Sequence, residues 1–202
     1  MYLTHTFKLL LLAIFCTECL CCPSDCRCEA KDRVVNCSGS GLSELPRSGY
    51  NRHTKTIDAS GNKIENLRNH TFSRLNIIAL EALYLNCNVI VTIEPRTFVG
   101  QGTLKVLDLS ENNITFIHPD TFVFTDNLEE LLLAENPFLN LDENEFRIST
   151  LTFIDLSSCG LNRIPTDSLP NSTDGSLQID FRYNNLISIS DDSVDAQKCD
   201  NE

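Results

Sequence analysis

The feature that most limits how this chain can fold is a repeat. Aligned on Asn62, Asn88, Asn112, Asn136, Cys159 and Asn184, it recurs at intervals of 26, 24, 24, 23 and 25 residues. Five positions before these anchors stand Ile57, Leu83, Leu107, Leu131, Ile154 and Ile179; three before stand Ala59, Leu85, Leu109, Leu133, Leu156 and Phe181. Two after come Ile64, Ile90, Ile114, Phe138, Leu161 and Leu186, and five after come Leu67, Ile93, Ile117, Leu141, Ile164 and Ile189. Every one of these positions is apolar. A single unit of this length cannot bury such a face alone, so the units must stack and share one core.

The spacing predicts how each coil is built. A stretch such as Leu107-Asp108-Leu109 alternates apolar and polar, which predicts a short strand with Asp108 facing outward. The apolar residues two and five after the anchor turn back inward. The anchor Asn is expected to be buried, satisfying backbone groups left unpaired at the bend in its own coil and in the next. Phe72, Phe98, Phe122 and Phe146, ten residues after the first four anchors, are expected to fill the back of their coils.

The pattern L-x-x-L-x-L-x-x-N-x-L, complete in the segment LKVLDLSENNITFIHPDTF over 104–122, resembles the extracellular leucine-rich repeat family. The resemblance spans residues 54–189. It implies a leucine-rich repeat solenoid of six units, with a curved parallel β-sheet on the concave face and irregular or short-helical segments on the convex face. Two departures stand out: Cys159 replaces the ladder Asn, where a thiol can donate only weakly, and the last unit begins with Ser176 in place of Leu.

The chain's two ends read differently. Lys8 followed by an apolar run to Leu20 has the layout of a secretory signal peptide, expected over 1–21, with cleavage between Cys19 and Cys22. The run is too short to span a membrane, and no later segment reads as a span. Ten cysteines in 202 residues fit an oxidising compartment. Cys22, Cys26, Cys28 and Cys37 allow three pairings, with a zinc site as the competing use. The stretch Cys22 to Pro46, containing VVNCSGSGLSELP, resembles the cysteine-rich N-terminal cap of exported leucine-rich repeat proteins. That resemblance implies bridges Cys22–Cys28 and Cys26–Cys37, in a cap expected over 22–53. After the repeats, residues 190–202 form an acidic polar tail with only Cys199 where the family's usual C-terminal cap carries four cysteines. Cys87, Cys159 and Cys199 leave an odd number outside the cap.

Charge and motifs narrow the function. Against 28 Asp and Glu stand 16 Lys and Arg, a net −12 that disfavours a nucleic-acid binder. The imbalance is uneven, with net +2 over 22–56 and −14 over 57–202. No catalytic motif or cofactor loop occurs, and Asp142-Glu143-Asn144-Glu145 lacks the Gly and terminal Glu of a calcium loop. Neither an enzyme nor a cofactor is expected. Sequons at Asn36, Asn69, Asn113 and Asn171 agree with export; those at Asn69 and Asn171 fall on the back and Asn113 at the edge. The candidate protein-binding residues are Asp58, Tyr84, Asp108, Leu132, Phe153, Asp155, Asp180 and Tyr183, an acidic column with aromatic and apolar spots on the concave face. The expectation is a secreted module that recognises an extracellular or cell-surface protein. Alternatives are a matrix component or a shortened, decoy form of a leucine-rich repeat receptor, with homodimerisation or docking at the uncapped C-terminal end.

Overall fold

The computed structural model describes residues 22–29, 31, 33–138, 146, 148–164, 169 and 176–187. The expected signal peptide and acidic tail lie outside these residues, as do Leu141, Asn171, Ile189 and Cys199. The chain forms a leucine-rich repeat solenoid. In order, its elements are β1 Arg27–Glu29, β2 Val34–Asn36, β3 Thr56–Asp58, β4 Asn66–Leu67 and α1 Thr71–Arg74. Then come β5 Ala82–Tyr84, β6 Thr92–Ile93, β7 Val106–Asp108, β8 Glu130–Leu132, β9 Phe153–Asp155 and β10 Gln178–Asp180.

One eight-stranded sheet runs β1-β2-β3-β5-β7-β8-β9-β10, and β4 pairs with β6 in a second, two-stranded sheet. Only the β1–β2 pair is antiparallel; every later pair is parallel and residue-for-residue in register. The alternation of the repeat explains the register, since a slip of one residue would turn Leu107 and Leu131 out to water. Pairing continues past each strand. The N–H groups of Ala59, Leu85, Leu109, Leu133 and Leu156 donate to the outward residue of the following coil at 2.8–2.9 Å.

Each coil then leaves the sheet through a left-handed residue. Gly61, Cys87, Glu111, Glu135, Ser158 and Tyr183, each directly before its anchor, have φ between 52° and 64°. Next comes the ladder carboxamide. Asn112 Nδ2 donates to the carbonyls of Leu109, Ser110 and Leu85, each at 3.0 Å, while its Oδ1 accepts the Ile90 N–H at 2.9 Å. Leu85 and Ile90 belong to the preceding coil, so the side chain reaches back rather than forward to the next one. Asn62, Asn88, Asn136 and Asn184 repeat the arrangement.

Cys159 keeps half of that function. Its thiol donates to Leu133 and Ser157 carbonyls at 3.3 and 3.4 Å, but it has no amide oxygen for the Phe138 N–H. That group turns instead to the Asn136 carbonyl at 2.9 Å, across Pro137. Burial pushes the thiol up to about 11, so it remains a donor at neutral pH.

Behind the ladder, four phenylalanines stack into a spine. Ring centroids lie 5.6 Å apart for Phe72–Phe98, 6.0 Å for Phe98–Phe122 and 6.5 Å for Phe122–Phe146. All four are buried. In the last coil Ile179, Phe181 and Leu186 are only half-buried because no further described coil covers them.

The other end is closed. Disulfides join Cys22 to Cys28 and Cys26 to Cys37, tying the β1–β2 hairpin over the first coil. Val35, Cys37 and Leu45 extend the core into this cap. Gly49 has φ of 92°, and a Cβ there would lie 2.7 Å from the Pro23 backbone, so only glycine fits.

Candidate recognition face

The register brings the outward strand residues into one column: Asn36, Asp58, Tyr84, Asp108, Leu132, Asp155 and Asp180. Beside it runs Thr56, Ala82, Val106, Glu130, Phe153 and Gln178. Neighbouring members sit one strand spacing apart, about 4.8 Å. Tyr84 therefore stands between Asp58 and Asp108, Leu132 between Asp108 and Asp155, and Phe153 between Glu130 and Gln178. Tyr183 is 82% exposed at the corner of the last coil.

The aspartates are not merely solvated. In Asp58, Asp108 and Asp155 one carboxylate oxygen accepts the N–H two residues on, from Ser60, Ser110 and Ser157, at 2.9–3.0 Å. The Ser60 and Ser110 hydroxyls add bonds of 2.6 and 2.5 Å to the same oxygen. Each Asp thus caps the end of its own strand and presents its second oxygen to the face. Asp180 makes the same bond, accepting the Arg182 N–H at 2.9 Å, but its second oxygen is taken by the Arg182 guanidinium at 2.6 Å. The Arg182 hydrogen bond holds the Asp180 carboxyl below the usual range. Negative charge is consequently most available over β3, β7 and β9.

A second ordered row flanks the sheet where the chain enters each strand. Arg33, Lys55, Glu81, Lys105 and Glu129 occupy equivalent positions one residue before each strand. Lys55 bonds Glu81 at 2.6 Å and Lys105 bonds Glu129 at 3.2 Å. The Lys55 hydrogen bond lowers the Glu81 carboxyl. Sequence reading passed over this row, whose signal was the period of the repeat applied to charge rather than to apolar residues.

The sequons are not equivalent. Asn36 lies in the outward column, where it accepts from the Ser38 N–H and hydroxyl and donates to Asp58 at 3.4 Å. A glycan there would stand on the concave face, at its capped end. The Asn69 carboxamide oxygen accepts the Arg96 N–H at 2.8 Å, and Asn113 is exposed. Cys87 is an exposed thiol at the sheet's edge, raised by partial burial and by Glu111, whereas Cys159 is buried. Among the described residues no group of three or more His, Cys, Asp or Glu side chains could hold a metal. In the same residues no helix is long and apolar enough to cross a membrane.

Comparison with known proteins agrees with the coil geometry. The profile of the leucine-rich repeat matches residues 78–138, and that of the leucine-rich repeat N-terminal domain matches 22–48. Leucine-rich repeat-containing G-protein coupled receptor 5 of Rattus norvegicus is 42% identical over 91 residues, 44% of this chain and 10% of the receptor. The Homo sapiens receptor of the same name is 40% identical over 91 residues. Leucine-rich repeat-containing protein 3 of Bos taurus is 37% identical over 101 residues, 48% of this chain and 38% of that protein. The chain thus spans a small part of these relatives. A crystal structure of the TLR13–ssRNA13 complex superposes with a TM-score of 0.55 at 24% identity, covering 67% of this chain and 20% of that one, a likeness of fold. With carboxamide ladder, bridged cap and matching profiles together, the chain belongs to the leucine-rich repeat family and carries that family's cysteine-rich N-terminal cap.

Proposed function

We propose that this chain is a secreted, non-enzymatic recognition module that binds an extracellular or cell-surface protein through the concave face of its sheet. Leucine-rich repeat solenoids generally serve as protein-interaction scaffolds. The observation that carries the reading is the outward face of the sheet: Tyr84 and Leu132 held half-exposed between carboxylates whose orientation is fixed by strand-end hydrogen bonds, with half-exposed Phe153 in the column beside them. Rigid aromatic and aliphatic anchors set among oriented polar groups are the composition of protein-binding hot spots. In this reading residues 1–21 are a removed leader, 22–53 the cap, 54–189 the repeats and 190–202 an acidic polar tail. Glycans at Asn69 and Asn113 leave the face open, and one at Asn36 would occupy only its capped end. The free carboxylates favour a partner with a basic patch.

The test is a screen of displayed extracellular domains against the glycosylated chain and two variants. Leu132→Asp/Phe153→Asp alters the face; Ile78→Asp/Val123→Asp places the same charges on apolar residues outside it, 47% and 57% exposed. A partner lost with the first variant and kept by the second supports the proposal. A partner indifferent to the first variant refutes it.

A further inference from the structure

Between the cap and the back of the first coil lies a groove of about 560 Å³, lined by none of the outward-column residues. Its charged wall is made by Arg47 and Glu44 of the cap, Lys63, Glu65 and Arg68 of the first coil, and Arg74 at the end of α1. Arg47 and Glu44 neutralise one another at 3.1 Å. Among the described residues Lys63, Arg68 and Arg74 form no ion pair. They share the lining with a buried floor of Leu45, Ile64, Leu67 and Leu75.

That concentration of cations is unusual for this chain. Residues 76–187 carry 16 acidic and 5 basic side chains, whereas residues 22–75 carry 9 basic and 6 acidic. The lining carries four cations, Arg47, Lys63, Arg68 and Arg74, against two carboxylates, Glu44 and Glu65, and this excess of positive charge makes the groove a site for negative charge. Its lining also restricts the kind of anion. It holds no aromatic residue, so the bases of a single-stranded nucleic acid would find no stacking platform. Its apolar residues form the buried floor and offer no projecting anchor of the kind a protein partner uses. What remains exposed is polar, with Arg47, Lys63, Arg68 and Arg74 outnumbering the carboxylates of Glu44 and Glu65 and with Ser43 and Asn66 among them. Guanidinium forks and an ammonium spaced along a polar trough suit sulfate groups on a hydroxyl-rich chain. We propose that this groove binds a sulfated polysaccharide of the glycosaminoglycan kind, holding the module in the extracellular matrix while the concave face remains free for its protein partner.

The experiment measures binding of the glycosylated chain to immobilised heparin as a function of salt, around 0.15 M. The variant Lys63→Ser/Arg68→Ser/Arg74→Ser is expected to bind about 100-fold more weakly, with a shallower salt dependence. Lys105→Ser/Arg163→Ser/Arg182→Ser, which removes equal charge elsewhere, is expected to change affinity by less than about 3-fold. Fully desulfated heparin should not bind, and single-stranded RNA should compete far less well than heparin. Equal loss in both variants, full retention in the groove variant, binding of desulfated heparin, or RNA competing as well as heparin would each overturn the proposal. If the triple variant melts early, Lys63→Ser and Arg74→Ser alone, each expected to cost about 5-fold, carry the same test. None of these measurements involves the concave-face partner, so this proposal and the recognition reading fail independently.

Discussion

Each ladder carboxamide from Asn88 to Asn136 accepts a buried N–H that would otherwise lack a partner and shares its carbonyls with the neighbouring anchors. Asn112→Ala would orphan the buried N–H of Ile90 and take one of two donors from each of the Leu85, Leu109 and Ser110 carbonyls, which keep Asn88, Asn136 and the Cys87 N–H, and is expected to cost about 1–3 kcal/mol in urea unfolding. Asp108 is different, since an amide oxygen can accept from Ser110 as Asn36 accepts from Ser38. Asp108→Asn should therefore stay within about 0.5 kcal/mol, while Asp108→Ala should cost about 1 kcal/mol. If Asn112→Ala and Asp108→Asn unfold the chain equally, the assignment of inside and outside is wrong. Cys159 provides a third residue-scale test. Its thiol is raised to about 11 by burial, above the value of about 8.5 for an exposed cysteine. The stabilisation it contributes is full below the unfolded value and lost as pH rises through that of the folded state. Cys159→Asn restores the missing acceptor for Phe138, so it should raise the melting temperature at pH 7 and abolish this part of the alkaline loss. The inward and outward roles of these side chains were readable because a period dictates them. The strand-end bond of each Asp and the direction of the ladder were not, because both depend on the left-handed residue before the anchor. Glycine, cysteine, glutamate, serine and tyrosine share that position and give no common signal.

Among the elements, the phenylalanine spine carries the back of the solenoid. Phe98 is stacked between Phe72 and Phe122 and fully buried, so Phe98→Ala should cost about 3–5 kcal/mol by loss of burial and opening of a cavity. Phe98→Leu, which refills most of the volume, should cost about 1.5 kcal/mol or less by the same denaturation measurement. A near-zero cost for Phe98→Ala would mean that the back of the coils is loosely packed and that the sheet alone defines the fold. Spacing of ten residues from the anchor was enough to place this spine, and alternation just before the anchor the strands, because large apolar side chains at fixed intervals have few ways to pack. The β4–β6 pair and α1 left no such trace. Asn66-Leu67 and Thr92-Ile93 pair because the stacking brings them side by side, and four residues from Thr71 to Arg74 turn helical without a side-chain cap at His70.

At the scale of the molecule, a solenoid is a one-dimensional stack in which each coil is stabilised chiefly by its two neighbours. The face that follows from that stack was legible in advance, since the repeat that buries Leu131 also turns Leu132 outward. The basic groove was not, because residues 43–47 of the cap and 63–75 of the first coil meet without sharing any period. The same nearest-neighbour logic predicts unequal stability along the rod. Leu109 and Leu133 lie between coils on both sides and are fully buried, whereas Ile179, Phe181 and Leu186 have a described neighbour on one side only and Ile187 is 84% exposed. Hydrogen exchange should therefore find the Leu109 and Leu133 amides, bonded to Leu132 and Asp155 carbonyls, protected up to the free energy of global unfolding. The Gln178 amide, bonded to the Thr152 carbonyl, should exchange through a local opening several kcal/mol less costly. Its rate should respond only weakly to urea, since fraying of one coil exposes little surface. Equal protection and equal urea sensitivity at both places would mean that the last coil is covered in solution and that the solenoid opens as one unit.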